Sequence, residues 1–268
     1  MNELEQNRLE LLTDIAQCEL AKRSVENPSH IDSCSKIVRV QSAANWDSFQ
    51  IPEPWSGDIV HAPILFFSSN PSISVMEAYP TGLCDPSFLH SYFSDRFNGY
   101  WIKDGRFPRN ADPSNGEFGA AVRYWSGIRN RATEILGNPS VPGRDYALSE
   151  IVHCKSKNES GVSEAVAVCA ERYLRRLLRC SGAVLIVLVG KKVQEHWNSL
   201  SGRLSSTETQ SLPLVPDRNG TRVQTIEGRK RVVAYLGHPT GPEKKRISHW
   251  LTPEKLVEIR ALLSTMHR

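Results

Sequence analysis

The chain has 268 residues and a net charge of +4, from 33 Lys and Arg against 29 Asp and Glu. A chain of this length can bury a sizeable core, and its six cysteines contain no CxxC pair, so a disulfide framework is not expected. No apolar stretch approaches the roughly 20 residues that cross a bilayer, and the acidic start lacks the order of a signal peptide, which predicts a cytoplasmic protein without a membrane partner.

We expect one domain over residues 1–268, with residues 1–55 as a helical and loop extension packed on it. Good helix formers fill residues 3–23 before the breaker Asn27-Pro28, which predicts an N-terminal helix. A short strand is predicted over Ile37 to Val40, followed by a loop that contains Trp and Pro.

The stretch from Ile64 to Ser72 reads Ile-Leu-Phe-Phe-Ser-Ser-Asn-Pro-Ser, four apolar residues that lead into small polar ones. An apolar run bounded by turn residues is typical of the central strand of a covered parallel sheet. Such sheets bind their ligands beyond the carboxyl ends of the strands. Asn70 is therefore the first candidate for chemistry.

The middle of the chain contains a long irregular insertion at residues 98–116, rich in Gly, Asn, Asp, Pro and Arg. Aromatic residues at helical spacing predict a helix before it, over residues 88–97. Loops of this length inside compact domains usually have a function, so we expect the insertion to border the site. Apolar spacing then predicts a helix over residues 117–136, with Gly137 as its stop.

The second half alternates strands with helices. Strands are predicted at 147–152, 183–189 and 231–236, helices at 163–178, after Gly190 and from Thr252, and a hairpin turn at Gly228. This order predicts an α/β fold, a three-layer sandwich around a short, mostly parallel central sheet. Because parallel strands end at one edge, Asn70, Glu150 and His238 are expected to converge in one cleft.

With these strand ends identified, the chain resembles the uracil-DNA glycosylase superfamily over about residues 64–248. Ser68-Ser-Asn-Pro-Ser72 is similar to the first motif of that family in its Gly-x-Asn-Pro-Gly form. Glu150-Ile-Val-His-Cys-Lys155 resembles the Asn-Val-Val-Lys-Cys-Arg block of the thermophile-type branch, and His238-Pro-Thr is similar to the His-Pro-Ser motif. The resemblance implies a monofunctional DNA glycosylase that flips a base out of DNA and hydrolyses its N-glycosidic bond, leaving an abasic site.

The resemblance also implies roles for single residues. Asn70 matches the position that orients the attacking water, and His238 matches the histidine that hydrogen-bonds the departing base. Ser69 is expected to contact DNA. Among the aromatic residues that could stack on the flipped base, Tyr79 is selected over Phe93, Phe97 and Phe107.

Two departures from the family bear on the base. Glu150 stands where the family has Asn, and an acceptor-only carboxylate suits the amino group of cytosine while it repels O4 of uracil. Ser72 stands where the classical uracil enzymes have a tyrosine, which leaves room for a substituent at C5. Both favour a C5-modified cytosine, such as a hypermodified or glucosylated phage cytosine, and an anti-phage defence role.

Residues 222–268 hold ten Lys or Arg against four Glu, which indicates either a polyanionic partner or a solvated basic face. Three basic residues directly follow the His238 motif, where relatives insert a loop into DNA: Lys244, Lys245 and Arg246. They are expected to contact phosphates of single- or double-stranded DNA. The protein is expected to act as a monomer.

No cofactor is needed for the implied chemistry. Cys154 and Cys169 resemble two of the four iron-sulfur ligands of the thermophile-type branch, and Cys18 and Cys34 could replace its N-terminal CxxC pair. Reduced structural thiols are the alternative.

Other functions stay open at this point. A uracil or mismatch repair glycosylase would use the same residues on a different base. A non-catalytic nucleic-acid-binding protein would hold a flipped base without cleaving it. A hydrolase of small nucleosides is a third reading, for which the basic residues at 244–246 would be superfluous.

Overall fold

The computed structural model describes residues 3–74, 77–108, 114, 116–204, 221–241 and 246–264. Its strands are β1 (Ile64–Ser68), β2 (Tyr146–Glu150), β3 (Leu185–Val189), β4 (Thr221–Ile226) and β5 (Arg229–Leu236). They form one sheet in the order β2-β1-β3-β5-β4. Only β4 is antiparallel to its neighbour, across the predicted turn at Gly228. The predicted α/β class with a mostly parallel central sheet is confirmed.

Strand β1 is buried on both faces, as its unbroken apolar run predicts. Ile64 and Phe66 belong to one hydrophobic core, and Leu65 and Phe67 belong to the other. Side chains alternate between the faces of a strand, so a strand covered on both sides needs apolar residues at successive positions. The sheet is therefore the middle layer of a three-layer sandwich.

Helices cover both faces of the sheet. In chain order they are α1 (Glu3–Ala16), α2 (Glu19–Glu26), α3 (Ser35–Arg39), α4 (Pro86–Ser94), α5 (Arg123–Leu136), α6 (Val162–Cys169), α7 (Arg175–Cys180), α8 (Lys191–Leu204) and α9 (Pro253–Ser264). Helices α5 and α9 pack on one face, and the remaining helices contribute to the core on the other face.

The short strand predicted over Ile37 to Val40 is wrong, because this segment lies in helix α3. The carboxylate of Asp32 accepts hydrogen bonds from the backbone N–H of Cys34 at 2.8 Å and from the hydroxyl of Ser35 at 3.1 Å. Side-chain bonds of this kind start a helix rather than a strand. The predicted N-terminal helix is also interrupted, since α1 ends at Ala16 and α2 begins at Glu19.

The helix predicted over residues 117–136 begins later, at Arg123, and ends as predicted at Gly137, whose φ is +80°. Phe118 is held in an extended pairing with Pro108 of the insertion, which keeps the preceding segment out of the helix. The helix predicted over residues 163–178 is present as α6 and α7, joined by a π-helical segment at Ala170–Leu174.

Within the part of the chain that the structure describes, no helix combines the length and the apolar character that a membrane span requires.

Gly127 in helix α5 allows the loop after β5 to approach the helix closely. A Cβ added at this position would lie 2.4 Å from Cβ of Pro239, which directly follows His238. Alanine is preferred over glycine in a helix interior by about 1 kcal/mol, so this glycine is explained by the contact rather than by helix propensity.

We expect Gly127→Ala to destabilise the protein by about 1–3 kcal/mol despite its better helix propensity, because the added methyl group overpacks the contact with Pro239. Urea unfolding measures the change. The control is the double variant with Pro239→Gly, which removes the clashing Cβ, so the two substitutions should be strongly non-additive. Additive effects would contradict the assigned contact.

Candidate active site

Three strand ends deliver their polar residues to one cavity of about 370 Å³ at the carboxyl edge of the sheet. Asn70 follows β1, Glu150 ends β2, and His238 follows β5, and all three side chains line this cavity. Ser69 and Ser72 line it as well. The volume lies within the range of small-molecule sites and exceeds what a single pyrimidine ring fills. The expected convergence of the three side chains is therefore present.

Asn70 is held in the loop after β1 by its own amide group. Its Nδ2 donates a hydrogen bond to the carbonyl of Pro71 at 2.9 Å. The same carbonyl accepts the backbone N–H of Ser156 at 2.9 Å, which ties the loop after β1 to the loop after β2. With the amide nitrogen fixed in this way, the side-chain carbonyl of Asn70 is the atom suited to accept a hydrogen bond from water.

His238 lines the cavity, and its ring is held by Thr240 and Tyr124. Its Nδ1 accepts the backbone N–H of Thr240 at 3.4 Å and lies 3.0 Å from the hydroxyl of the same residue. In a neutral imidazole one nitrogen accepts and the other carries the proton, so this contact places the proton on Nε2. The ring lies against Tyr124, with centroids 5.4 Å apart and an interplanar angle of 28°.

Glu150 is buried, and its environment favours the neutral acid. Its Oε1 lies 3.5 Å from the hydroxyl of Ser68, and its Oε2 has no hydrogen-bond partner among the described residues. Burial, and secondarily the nearby carboxylate of Glu53, raise the pKa of Glu150 well above its ordinary value. A neutral carboxyl group has one donor and one acceptor, which differs from the acceptor-only carboxylate expected from the sequence.

The cavity is also lined by a cluster of buried charges that sequence reasoning missed. Arg96 forms ion pairs with both Glu53 and Glu77 and donates to the hydroxyl of Ser56 at 2.9 Å. The ammonium of Lys155 lies 3.6 Å from Glu77. The arginine and lysine lower the pKa of both carboxyl groups against the effect of burial, so two anions balance two cations. Only Lys155 stood within a motif that the sequence singled out.

Tyr79 does not line the cavity, which argues against the role selected for it. Its buried ring packs edge-on against Tyr92 and Phe93, and the ammonium of Lys155 lies 3.4 Å from its centre. A ring covered on its face in this way cannot stack on a base.

The aromatic residues that do line the cavity are Phe107 of the insertion and Tyr124 and Trp125 of α5. The insertion therefore borders the site, as expected.

Ser69 forms a hydrogen bond with a residue that was not a candidate from the sequence. Its hydroxyl donates to Glu159 at 2.7 Å, and Glu159 also forms an ion pair with Lys192. These residues line a second cavity of about 450 Å³, which shares Asn70 and His238 with the first cavity. The second cavity thus leads from the candidate active site towards the start of α8.

Two of the three basic residues expected to bind phosphate, Lys244 and Lys245, lie outside the described residues. Arg246 is exposed at the start of a short 3-10 helix, Ile247–His249. That segment is attached to α5, because the backbone N–H of Ile247 donates to Glu134 at 2.7 Å.

A larger cavity, of about 620 Å³, lies at the opposite edge of the sheet, where Asp58 precedes β1 and Asp145 precedes β2. Its charged groups already have partners. Asp58 pairs with His61 and Asp145 with Arg144, and Arg260 donates to backbone carbonyls of α5. This cavity lacks the convergent polar groups of the carboxyl edge.

Four cysteines from separate segments line one small buried cavity: Cys18, Cys34, Cys154 and Cys169. All six cysteines lie in the described part of the chain, and none forms a disulfide. Burial, together with the neighbouring thiols, raises the pKa of Cys34 to about 12 and that of Cys154 well above its ordinary value. Within the described ranges, no three His, Cys, Asp or Glu side chains are arranged around a single metal ion.

Comparison with known proteins adds no family: no protein-family model matches the chain, and no curated protein matches it significantly.

We expect Glu150→Gln to raise the free energy of unfolding by an amount that grows with pH. The folded protein keeps a proton that the unfolded chain releases, so each pH unit between the ordinary and the folded pKa costs the natural protein about 1.4 kcal/mol, and glutamine avoids this cost. Urea unfolding from pH 4 to pH 8 measures the difference. The exposed Glu171→Gln is the control. A difference that does not change with pH would contradict a neutral Glu150.

Proposed function

We propose that this protein is a monofunctional DNA glycosylase that flips a modified base out of DNA and hydrolyses its N-glycosidic bond. The observation that supports this most is the single cavity lined by Asn70, Glu150 and His238, each from a different strand end. The resemblance of their three motifs to the uracil-DNA glycosylase superfamily suggests the reaction, hydrolysis of an N-glycosidic bond. The product would be an abasic site in DNA.

In this proposal the bond breaks towards an oxocarbenium-like sugar, and its electron pair passes to the base. The Nε2–H of His238 donates to the base as negative charge develops there. The carbonyl of Asn70 holds the water that attacks the sugar carbon, and an amide accepts no proton at neutral pH, so the water proton passes to solvent. No cofactor takes part in these steps.

The base that we propose is a C5-modified cytosine, such as a hypermodified or glucosylated cytosine of phage DNA. Ser72 has a small side chain at the cavity wall, and the cavity is larger than one pyrimidine ring requires. Excision of such bases would give the protein an anti-phage role. A uracil or mismatch repair glycosylase is the second candidate, because a neutral Glu150 offers a donor and an acceptor that can pair with uracil as well.

The proposed partner is DNA, whose backbone would cross the mouth of the two adjoining cavities. Lys191 and Lys192 at the start of α8 line the second cavity. The basic residues at 244–246 follow the His238 loop directly in the sequence. Lys191 and Lys192 would neutralise phosphates beside a flipped nucleotide.

We expect the purified protein to create alkali-labile sites in DNA that contains hydroxymethylcytosine or glucosylated cytosine. In DNA that contains uracil we expect few such sites. Asn70→Ala and His238→Ala should each lower the single-turnover rate by at least about 100-fold, because each removes a group that acts in the transition state. Gel analysis after alkali treatment measures the cleavage.

The matched controls are Asn138→Ala and His61→Ala, which change the same residue types at the opposite edge of the sheet. They should keep the natural rate. Full activity of Asn70→Ala and His238→Ala would refute the site. DNA binding without any cleavage would instead indicate a non-catalytic protein that holds a flipped base.

We also propose that the four convergent cysteines hold an iron-sulfur cluster with a structural role. They come from the start of α2, the start of α3, the loop after β2 and the end of α6, so a bound cluster would connect four segments. A cluster of several iron and sulfide atoms separates its ligands more widely than one ion does, so its four ligands need not surround a single point. When bound, the cluster would stabilise the thiolate forms that burial disfavours.

Protein purified without oxygen should be brown and contain iron, and Cys154→Ala or Cys169→Ala should lose both properties. Cys84→Ala and Cys180→Ala are the matched controls, because these cysteines lie outside the four-cysteine cavity. Iron analysis and visible absorption measure the result. A colourless, iron-free and stably folded natural protein would show that the thiols are structural.

A further inference from the structure

We propose that Glu150 is the acid of the reaction: its carboxyl group donates a proton to ring nitrogen N3 of a cytosine-type base as the base departs. This inference rests on the proposed glycosylase function and goes beyond it, because it assigns proton transfer, and not only recognition, to the residue at the end of β2. It identifies the substrate by an edge that presents an acceptor at N3 beside an amino group.

The first support is the charge balance around Glu150. The two cations that act on Glu150 are already paired, because Arg96 forms ion pairs with Glu53 and Glu77, and Lys155 forms one with Glu77. Within the described residues, no Lys, Arg or His forms an ion pair with Glu150. A buried carboxylate without a counter-ion is strongly disfavoured, so this fifth ionisable group holds its proton.

The second support is the geometry of the carboxyl group. Ser68 lies 3.5 Å from Oε1 and receives a hydrogen bond from the hydroxyl of Tyr124 at 3.0 Å, so the Ser68 proton is directed towards Oε1. Oε1 is thus the accepting oxygen. In the proposed neutral acid the proton lies on Oε2, which has no partner among the described residues. Glu150 lines the cavity although its Oε2 is buried, so a base that presents an acceptor to Oε2 would supply the partner that this atom lacks.

The groups that face Glu150 come from every element packed around it. They are Glu53 of the loop before β1, Ser68 of β1, Arg96 after α4, Tyr124 of α5 and Lys155 after β2. Burial and Glu53 favour the neutral form of Glu150, while Arg96, Lys155 and Ser68 oppose them. Their balance raises the pKa of Glu150 well above its ordinary value, which favours the neutral acid.

The proposed step transfers one electron pair and one proton to the base. The bond between the sugar carbon and N1 breaks and leaves its electron pair on the ring, while the O–H bond of Glu150 breaks and an N3–H bond forms. The base leaves neutral, and the sugar cation takes hydroxide from the water at Asn70. The remaining proton of that water passes to solvent, from which Glu150 is protonated again. Oε1 accepts from the amino group throughout.

The test compares natural protein and Glu150→Gln on oligonucleotides that carry hydroxymethylcytosine or its glucosylated form, each with a matched 3-deaza base that lacks the N3 acceptor. Glutamine keeps a donor and an acceptor but gives up no proton. We expect Glu150→Gln to lower the single-turnover rate at pH 7 by about 100-fold or more and to remove the alkaline decline of the natural pH profile. Affinity for DNA should stay within about threefold, because the hydrogen bonds remain.

The 3-deaza bases test the inference without any change to the protein. The natural protein should cleave them about 100-fold more slowly, and on them the two proteins should differ by less than about threefold, since the proton has no acceptor. Equal rates and pH profiles for both proteins on the N3-bearing bases would overturn the role of Glu150 and leave the glycosylase function standing. Release of uracil alone would also overturn it. A natural protein that cleaves none of these DNAs would overturn the function and the inference together.

Discussion

The charge balance between two buried carboxylates and two buried cations is the constraint on which the site depends. The buried side chains of Glu53, Glu77, Arg96 and Lys155 line the cavity, and loss of any one would leave an uncompensated buried charge, which typically costs about 3–5 kcal/mol. The balance leaves no cation for Glu150. The cluster also joins the loop before β1, the end of α4 and the loop after β2. The ion pairs that hold these parts of the cavity wall together therefore also influence the pKa of Glu150.

Much of the fold could be predicted because burial on both faces leaves a simple signal. The apolar runs that become β1 and β3 are unbroken, and a polar or turn residue follows each. Segments whose structure depends on a few local hydrogen bonds were not predictable in the same way. Ile37 and Val38 form part of a helix because Asp32 closes a turn before them, and that bond leaves no trace in the apolar pattern.

The sequence predicts only the part of the site that follows from the order and direction of the strands. Asn70 and His238 follow strands, and the parallel sheet brings strand ends to one edge, so their meeting follows from topology. The raised pKa of Glu150 depends first on its burial and then on Glu53, which is distant in sequence and stands in no motif. Tyr79 was selected for its position after the first motif, but the sequence did not show that Lys155 covers its ring.

In the proposed glycosylase, a neutral Glu150 changes what its difference from the resembled motif means. An amide and a protonated carboxyl group both present a donor beside an acceptor, so the hydrogen bonds available to a base differ little between them. What the carboxyl group adds is a proton that it can give up. Cytosine leaves as an anion less readily than uracil, which has two carbonyl groups to hold the charge, so protonation at N3 matters more for cytosine. In the proposed glycosylase, Glu150 would therefore favour cytosine because it can protonate the departing base, and Ser72 would limit how large a C5 substituent the cavity accepts.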